Sequence, residues 1–344
     1  MGVALTSLLE GDAVVIESLK NSVVAIDAFN IIYQFLTVMR GPDGQPLTNS
    51  KGEVTAHLKG LLTRNIQFLK EGLKPIYVFD GKAPDLKLAE RERRKELRDE
   101  SQRKYDIAKE RNDFEQMRKY AQRLVRIDEN IIASSKQLLD YLGIPWVQAP
   151  SEGEAQAAFM VQQGDADLVV SQDADALLFK TPFLLRNLTI AGKKKKKGKV
   201  GFEKVLPVKY SLSKTLNVLG IDHDQLIVLA ILVGTDFNYG GINGLGPKKA
   251  LKLVQTYGKD FEKIFAEVSW NEHFEVSWKA IFDFFKNPPV TKDYTITFKD
   301  IQKEQLLHWL KESYDFSEDG LQQAIKSLDS ITENQKQKGL ADFW

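Results

Sequence analysis

Three short apolar runs in this 344-residue chain end at or just before an aspartate: Val23-Val24-Ala25-Ile26-Asp27, Ile76-Tyr77-Val78-Phe79-Asp80 and Leu168-Val169-Val170-Ser171-Gln172-Asp173. Asp175 follows Asp173 closely, a further connection supplies Glu152 and Glu154, and Asp236 follows Leu232-Val233-Gly234-Thr235. β-Branched runs of this length read as buried strands of a parallel sheet. In open α/β sheets the ligand crevice lies beyond the carboxyl ends of the strands. Carboxylates gathered there would repel one another unless positive charge sits among them. Oxygen-only ligation at this density suits hard divalent cations, Mg²⁺ or Mn²⁺. Two such ions held ~4 Å apart polarise one phosphate, generate hydroxide from bound water and stabilise the leaving oxyanion, with no nucleophilic side chain needed. The residues therefore point to metal-dependent phosphoryl transfer.

Each carboxylate also has an ordinary structural role. A strand-ending aspartate often caps the next helix. Ser151-x-x-Glu154 fits a capping box, which would leave Glu152 to complement the helix dipole. Asp236 could cap the loop after Gly234. These roles do not explain why three strands all end in aspartate, or why a fourth connection brings Glu-x-Glu.

The elements that must position these groups follow from pattern. The first two strands are separated by an amphipathic helix spanning about residues 54–71. From Lys82 to Arg126 charges dominate, with 15 basic against 10 acidic residues, which predicts a long helical excursion. The α/β pattern resumes near Ile131 with a helix to Leu142, a strand at Trp146-Val147 and a helix after Pro150. Residues 193–199 read as a basic loop between two strand-like runs. Residues 225–257 read as helix, Gly-rich turn, helix, and the last third as helices packed on aromatic residues. From Glu333 the apolar period is lost.

Composition narrows the chemistry. With 43% hydrophobic residues the chain can bury a real core, and a net charge of +1 says nothing of nucleic acid by itself. The absence of cysteine excludes disulfides, thiolate metal sites and cysteine nucleophiles, and fits an intracellular setting. The four histidines are scattered without ligand spacing, which argues against zinc. The N-terminus has no basic region before an apolar stretch, and no segment reaches membrane-spanning length.

Five ordered motifs resemble the flap endonuclease family of structure-specific 5′ nucleases, especially its archaeal members: Val24-Ala25-Ile26-Asp27-Ala28, Tyr77-Val78-Phe79-Asp80-Gly81-Lys82, Pro150-Ser151-Glu152-Gly153-Glu154-Ala155-Gln156-Ala157-Ala158, Ser171-Gln172-Asp173-Ala174-Asp175 and Leu232-Val233-Gly234-Thr235-Asp236. The resemblance runs from Gly2 to Trp344. It implies an α/β fold: a central, mostly parallel twisted sheet flanked by helices, with a helical arch or cap and a helix-hairpin-helix-type DNA-binding element. One nuclease domain would span residues 1–332. Within it, the N-terminal region covers 1–105, the arch about 82–130, the internal nuclease region about 131–236 and the hairpin region about 225–260. Residues 333–344 would form a flexible clamp-binding tail.

The resemblance further implies Mg²⁺-dependent cleavage of branched DNA at a 5′ flap, with 5′–3′ exonuclease activity, in Okazaki fragment maturation and repair. Asp27, Asp80, Glu152, Glu154, Asp173, Asp175 and Asp236 are the implied ligands of two ions, with Mn²⁺ able to substitute. Lys87 and Arg94 match gateway-helix positions that meet charge at the scissile phosphate. Tyr33 matches a residue on which a terminal base stacks. Gly244-Leu245-Gly246-Pro247-Lys248-Lys249 matches a phosphate-gripping hairpin where K⁺ assists, and Gly2 belongs with the DNA contacts. Gln337-x-x-Leu340-x-x-Phe343-Trp344 resembles the peptide that docks on the replication sliding clamp (PCNA). A monomer is expected, cytoplasmic if archaeal and nuclear if eukaryotic. The Lys193–Lys197 run has no family role. A different 5′ nuclease of the superfamily, a non-catalytic DNA- and clamp-binding scaffold and a ribonuclease of related fold stay open on the sequence.

Overall fold

The computed structural model describes residues 4–41, 43–190, 192–195 and 202–341. The strands are β1 (Asp12–Ala13), β2 (Val23–Asp27), β3 (Lys74–Phe79), β4 (Trp146–Gln148), β5 (Leu168–Val170), β6 (Phe183–Arg186), β7 (Gly192–Lys195), β8 (Phe202–Val205) and β9 (Val208–Ser211). One sheet has the order β1-β9-β6-β5-β2-β3-β4, and β7 pairs with β8 separately. The five strands β6 to β4 run parallel, while β9 and β1 add antiparallel at one edge. The chain lays down β2, β3 and β4 outward, then returns to the other flank of β2 for β5 and β6. That reversal creates a switch point between β2 and β5, the place where such sheets open a crevice.

The helices are α1 (Ala28–Val38), α2 (Ala56–Lys70), α3 (Leu88–Glu110), α4 (Phe114–Ala121), α5 (Glu129–Tyr141), α6 (Gly153–Gln163), α7 (Leu212–Leu219), α8 (His223–Val233), α9 (Pro247–Tyr257), α10 (Phe261–Glu267), α11 (Trp270–His273), α12 (Trp278–Lys286), α13 (Lys303–Tyr314) and α14 (Glu318–Ala341). Strand alternation sorts them into two layers. Val24, Ile26, Tyr77 and Phe79 pack with α1, α2, α5, α13 and α14, whereas Ala25, Ile76 and Val78 pack with α6, α8, α9 and α12. Each fully buried Val or Ile side chain contributes about 1.5–3 kcal/mol. These central strands thus hold the sheet edge rigid where the acidic residues leave it. The helix α8 is apolar and buried on every side, as a helix enclosed by other elements must be.

The charged excursion forms α3 and α4, which pack on each other through a small core of their own: Tyr105, Ala108, Met117 and Ala121. Two expectations change. Residues 192–195 of the basic run form a strand rather than a loop, because they pair with Phe202–Val205; residues 196–201 lie outside the described residues. The expected boundary at 333 falls inside α14, whose helical backbone carries Gln337 and Leu340 as far as Ala341. Phe343, Trp344 and Gly2 lie outside the described residues.

Gly81 couples the ends of β3 and β4. Its N–H donates to the Ser151 carbonyl at 2.7 Å, and that of Lys82 donates to the Pro150 carbonyl at 3.2 Å. A Cβ at Gly81 would lie 2.1 Å from the Ala149 carbonyl oxygen and 2.6 Å from the Pro150 carbonyl carbon, both backbone atoms. Gly81→Ala is therefore expected to destabilise the protein by about 1–3 kcal/mol, the usual cost of forcing added volume into a packed site. The readout is a lower urea midpoint at unchanged slope; an unchanged midpoint would mean the two segments part without cost.

Candidate active site

Each strand edge delivers its acid by a local rule. Asp27 ends β2 and caps α1, accepting the Asn30 N–H at 3.0 Å. Asp80 follows β3, and its Oδ1 accepts the Gly153 N–H at 2.6 Å, tying it to the start of α6. Glu152 is the residue just before α6, and Glu154 lies in its first turn. The capping box does not form: the cap position is Glu152, whose own side chain makes no capping bond, and Glu154 accepts instead from the Ser171 hydroxyl at 2.6 Å. Asp173 follows β5 and accepts from Asn30 Nδ2 at 3.3 Å, while Asp175 opens a short 3₁₀ turn. Asp236 follows α8. All seven carboxylates line one cleft of about 1540 Å³.

Burial and mutual repulsion set the electrostatics. Burial, then the Asp80 and Asp173 charges, push the Asp27 carboxyl up to about 8 against the hydrogen bond from Asn30. Burial and Glu152 push Asp80 up to about 6, opposed by the Gly153 N–H and Lys87. Burial raises Glu154 well above the usual carboxylate range, with Asp175, Asp27 and Asp173 adding to it. Two cations partly answer this charge. Lys87 Nζ donates to Glu152 at 2.7 Å and lies 3.4 Å from Asp236; Arg94 Nη2 reaches Asp236 at 3.2 Å. Burial alone would lower the Lys87 pKa, but Glu152 and Asp236 raise it, so this amine stays charged.

Among the described residues, no three acidic or histidine side chains stand ready-assembled around one ion position. Here Lys87 draws on Glu152 and Asp236. The donor set still fits hard divalent cations, since every candidate atom is a carboxylate oxygen, and burial together with neighbouring negative charge raises Asp27 and Glu154, as expected of a cluster short of positive charge.

The cleft has two poles. Its acidic side comes from the sheet edge, whereas Arg91, Arg94, Lys95, Arg98, Arg123 and Arg126 line it from the α3–α4 segment. Tyr33 also lines it and is 46% exposed, although its place on an apolar helix reads as core. The Gly244–Lys249 turn is not part of this cleft. It joins α8 to α9, with Gly244 at φ +75°, Gly246 at the cap of α9, Pro247 at its first position and both lysines exposed. The open space beside Gly244 and Gly246 leaves backbone free for an approaching phosphate.

Sequence reasoning missed the amides around Asp173. Gln34 Nε2 donates to Asn30 Oδ1 at 2.7 Å, and the Thr189 hydroxyl donates to Gln34 Oε1 at 2.7 Å. Asn30 and Gln34 stand four apart on α1, a spacing that places them on one face, but only the fold shows that this face meets Asp173. Glu90, Arg93 and Tyr239 were missed as well. The Glu90-x-x-Arg93-Arg94 spacing was the available signal, hidden among many similar charges.

Comparisons with known proteins identify the family. Residues 1–101 match the XPG N-terminal domain and residues 143–236 the XPG I-region. The chain is 45% identical to flap endonuclease 1 of Pyrococcus abyssi over its full length, covering 98% of that protein. It is 44% identical to flap endonuclease 1 of Thermococcus onnurineus, with 99% of that protein covered. The solved flap endonuclease-1 of Methanococcus jannaschii superposes with a TM-score of 0.75 at 36% identity, covering 97% of this chain and 100% of the other. On the cleft, the sheet and this full-length similarity, the chain belongs to the flap endonuclease family of metal-dependent nucleases.

Proposed function

We propose that this protein is a structure-specific 5′-flap endonuclease with 5′–3′ exonuclease activity, serving Okazaki fragment maturation and repair. The observation that carries the reading is the convergence of seven carboxylates on one cleft whose other side is lined with arginine and lysine. Asp27, Asp80, Glu152, Glu154, Asp173, Asp175 and Asp236 would hold Mg²⁺, with Mn²⁺ able to substitute; the chemistry such a two-ion site supplies is water activation and charge neutralisation at the leaving oxygen.

The chain's own residues do the rest. The α3–α4 cations attract the single strand and orient its phosphates, a term that depends on charge and not on sequence. Lys87 and Arg94 enter from the base of α3 to meet charge developing at the scissile phosphate. Tyr33 offers an exposed ring for a terminal base. Away from the cleft, Lys248 and Lys249 with the Gly244 and Gly246 backbone grip duplex phosphates, with K⁺ assisting at that turn. Gly2 belongs to the same DNA contacts. The Gln337, Leu340, Phe343 and Trp344 pattern docks a monomeric enzyme on the sliding clamp.

Asp175→Ala and Glu154→Ala are expected to remove Mg²⁺-dependent cleavage beyond the ~10–100-fold typical of losing a residue behind a ligand, with flap binding changed by less than several-fold. Normal cutting by Glu154→Ala combined with early melting would return Glu154 to a purely structural role.

The acidic cluster also sets a pH dependence. Asp27 is raised from 3.8 to about 8, so the folded state holds a proton that the unfolded state has released. Its contribution is full below about pH 4 and is lost as pH rises through about 8. In EDTA the melting temperature of the wild type should therefore fall across this window more steeply than that of Asp27→Asn. Mg²⁺ should restore it at the upper end by binding the folded state. Equal pH slopes in both proteins would remove Asp27 from the cluster.

Deleting residues 337–344 should leave clamp-free cleavage intact and abolish stimulation by the sliding clamp. Changing Phe343 and Trp344 to Ala should cost ~2 kcal/mol or more of clamp binding per aromatic. Calorimetric titration tests this, and undiminished affinity would place the contact on another surface.

A further inference from the structure

Glu90 is the third residue of α3, and in the charged first half of that helix it alone is buried, at 5% exposed. A glutamate at this position commonly reaches back to the N–H of the cap residue, but here the Lys87 N–H already donates to the Pro84 carbonyl. The Glu90 carboxylate accepts from Arg93 instead, through Nε at 2.6 Å and Nη2 at 2.8 Å, and from Arg94 Nε at 2.6 Å. Burial would raise its pKa, but these bonds outweigh burial and hold it lowered and ionised. Exposed i,i+4 ion pairs contribute little; here the carboxylate is buried while the Arg93 and Arg94 side chains stay 29% and 41% exposed, and three hydrogen bonds converge on it in forked geometry.

The two arginines then reach two points on one loop. Arg94 Nη2 bonds to Asp236 at 3.2 Å, and the Arg93 guanidinium lies 3.6 Å from the centre of the Tyr239 ring. A cation this close over an aromatic face is attracted to the ring quadrupole. Lys87, three residues before Glu90, lies 3.4 Å from the same Asp236. Glu90 is thus the hub of a fork joining the start of α3 to the 236–239 loop.

We infer that Glu90 is a positioning residue for phosphodiester cleavage: with the Arg93–Tyr239 stack it locks the base of α3 onto the Asp236 loop and so fixes Arg94 and Lys87 in the cleft. The inference rests on the proposed role of Lys87 and Arg94 at the scissile phosphate. Glu90 touches no reacting atom. Its charge has the wrong sign for DNA, so a purely electrostatic role makes the opposite prediction: removing it should tighten binding and leave cleavage no slower.

The test compares single-turnover cleavage of a 5′-flap substrate in Mg²⁺, substrate affinity in EDTA and melting temperature, all on the full-length protein. Glu90→Gln is expected to cleave on the order of ten- to a hundred-fold more slowly, the scale of a displaced catalytic group, with affinity unchanged or tighter. Glu90→Asp should recover part of the rate. Tyr239 is 55% exposed, so its replacement does not threaten folding. Tyr239→Leu should slow cleavage several-fold while Tyr239→Phe, which keeps the ring face, should not. Combining Glu90→Gln with Arg94→Ala should slow cleavage by clearly less than the product of the two single effects, because Glu90 acts largely through Arg94 and only the placement of Lys87 is left for it to disturb.

Slow cleavage by Arg94→Ala with wild-type cleavage by Glu90→Gln would overturn the positioning role and leave the proposed function standing. Wild-type cleavage by Arg94→Ala would instead overturn the gateway role, and the inference with it. A Glu90→Gln protein that melts early while Tyr239→Leu cleaves normally would reduce the fork to structural support.

Discussion

Seven carboxylates in one cleft repel one another, and partial exclusion of water makes that repulsion costly. Two unit charges 4 Å apart interact by about 4 kcal/mol at an effective dielectric near 20. The protein tolerates the cluster by three means visible in the structure. Burial and neighbouring charge raise the Asp27 and Glu154 carboxyls, so these groups give up their protons less readily; backbone N–H groups and the Ser171 hydroxyl donate into the oxygens; and Lys87 and Arg94 bring positive charge to Glu152 and Asp236. Stability has been given up locally to build a site that favours cations, and the buried strands behind it supply the rigidity that this requires.

The sheet topology decides where that tension is placed. Because β2, β3 and β5 run parallel, their carboxyl ends open on one edge, and the segments following β4 and α8 line the same cleft. Gly81 and Gly153 permit the closest approaches: an added Cβ would strike the Ala149–Pro150 backbone at the first and Asp80 Oδ1, 2.6 Å away, at the second. The cleft therefore depends on close approach of backbone at Gly81 and of the Asp80 carboxylate to the backbone at Gly153.

The α3–α4 segment solves a different problem. A stretch this charged buries little apolar surface, so α3 and α4 fold on a small core of their own, touching the body through polar contacts at the base of α3 and through Tyr105 and Arg118 at the Asp43–Gly44 turn. That arrangement gives the cleft its basic side. It also concentrates the registration of Arg94 and Lys87 on a few interactions around Glu90, Asp236 and Tyr239.

Much of this was determined by the sequence alone. The apolar runs ending in aspartate specify a parallel sheet and the edge at which its acids emerge, since a fully buried strand needs continuous β-branched residues and must place its polar group where the strand stops. The excess of charge over residues 82–126 likewise specifies a solvated helical excursion. Other features had no local signature. Ser151-x-x-Glu154 fits a capping box as well as it fits a cleft, and only the approach of Ser171 from β5 turns Glu154 inward. Tyr33 lies on an apolar helix, and its exposure depends on what fails to cover it. Glu90 is one acid among ten in its segment until the fold brings Asp236 and Tyr239 within reach of its arginines. Residue type and period fix what each strand or helix buries, but contacts between residues more than a hundred positions apart exist only once the chain has closed on itself.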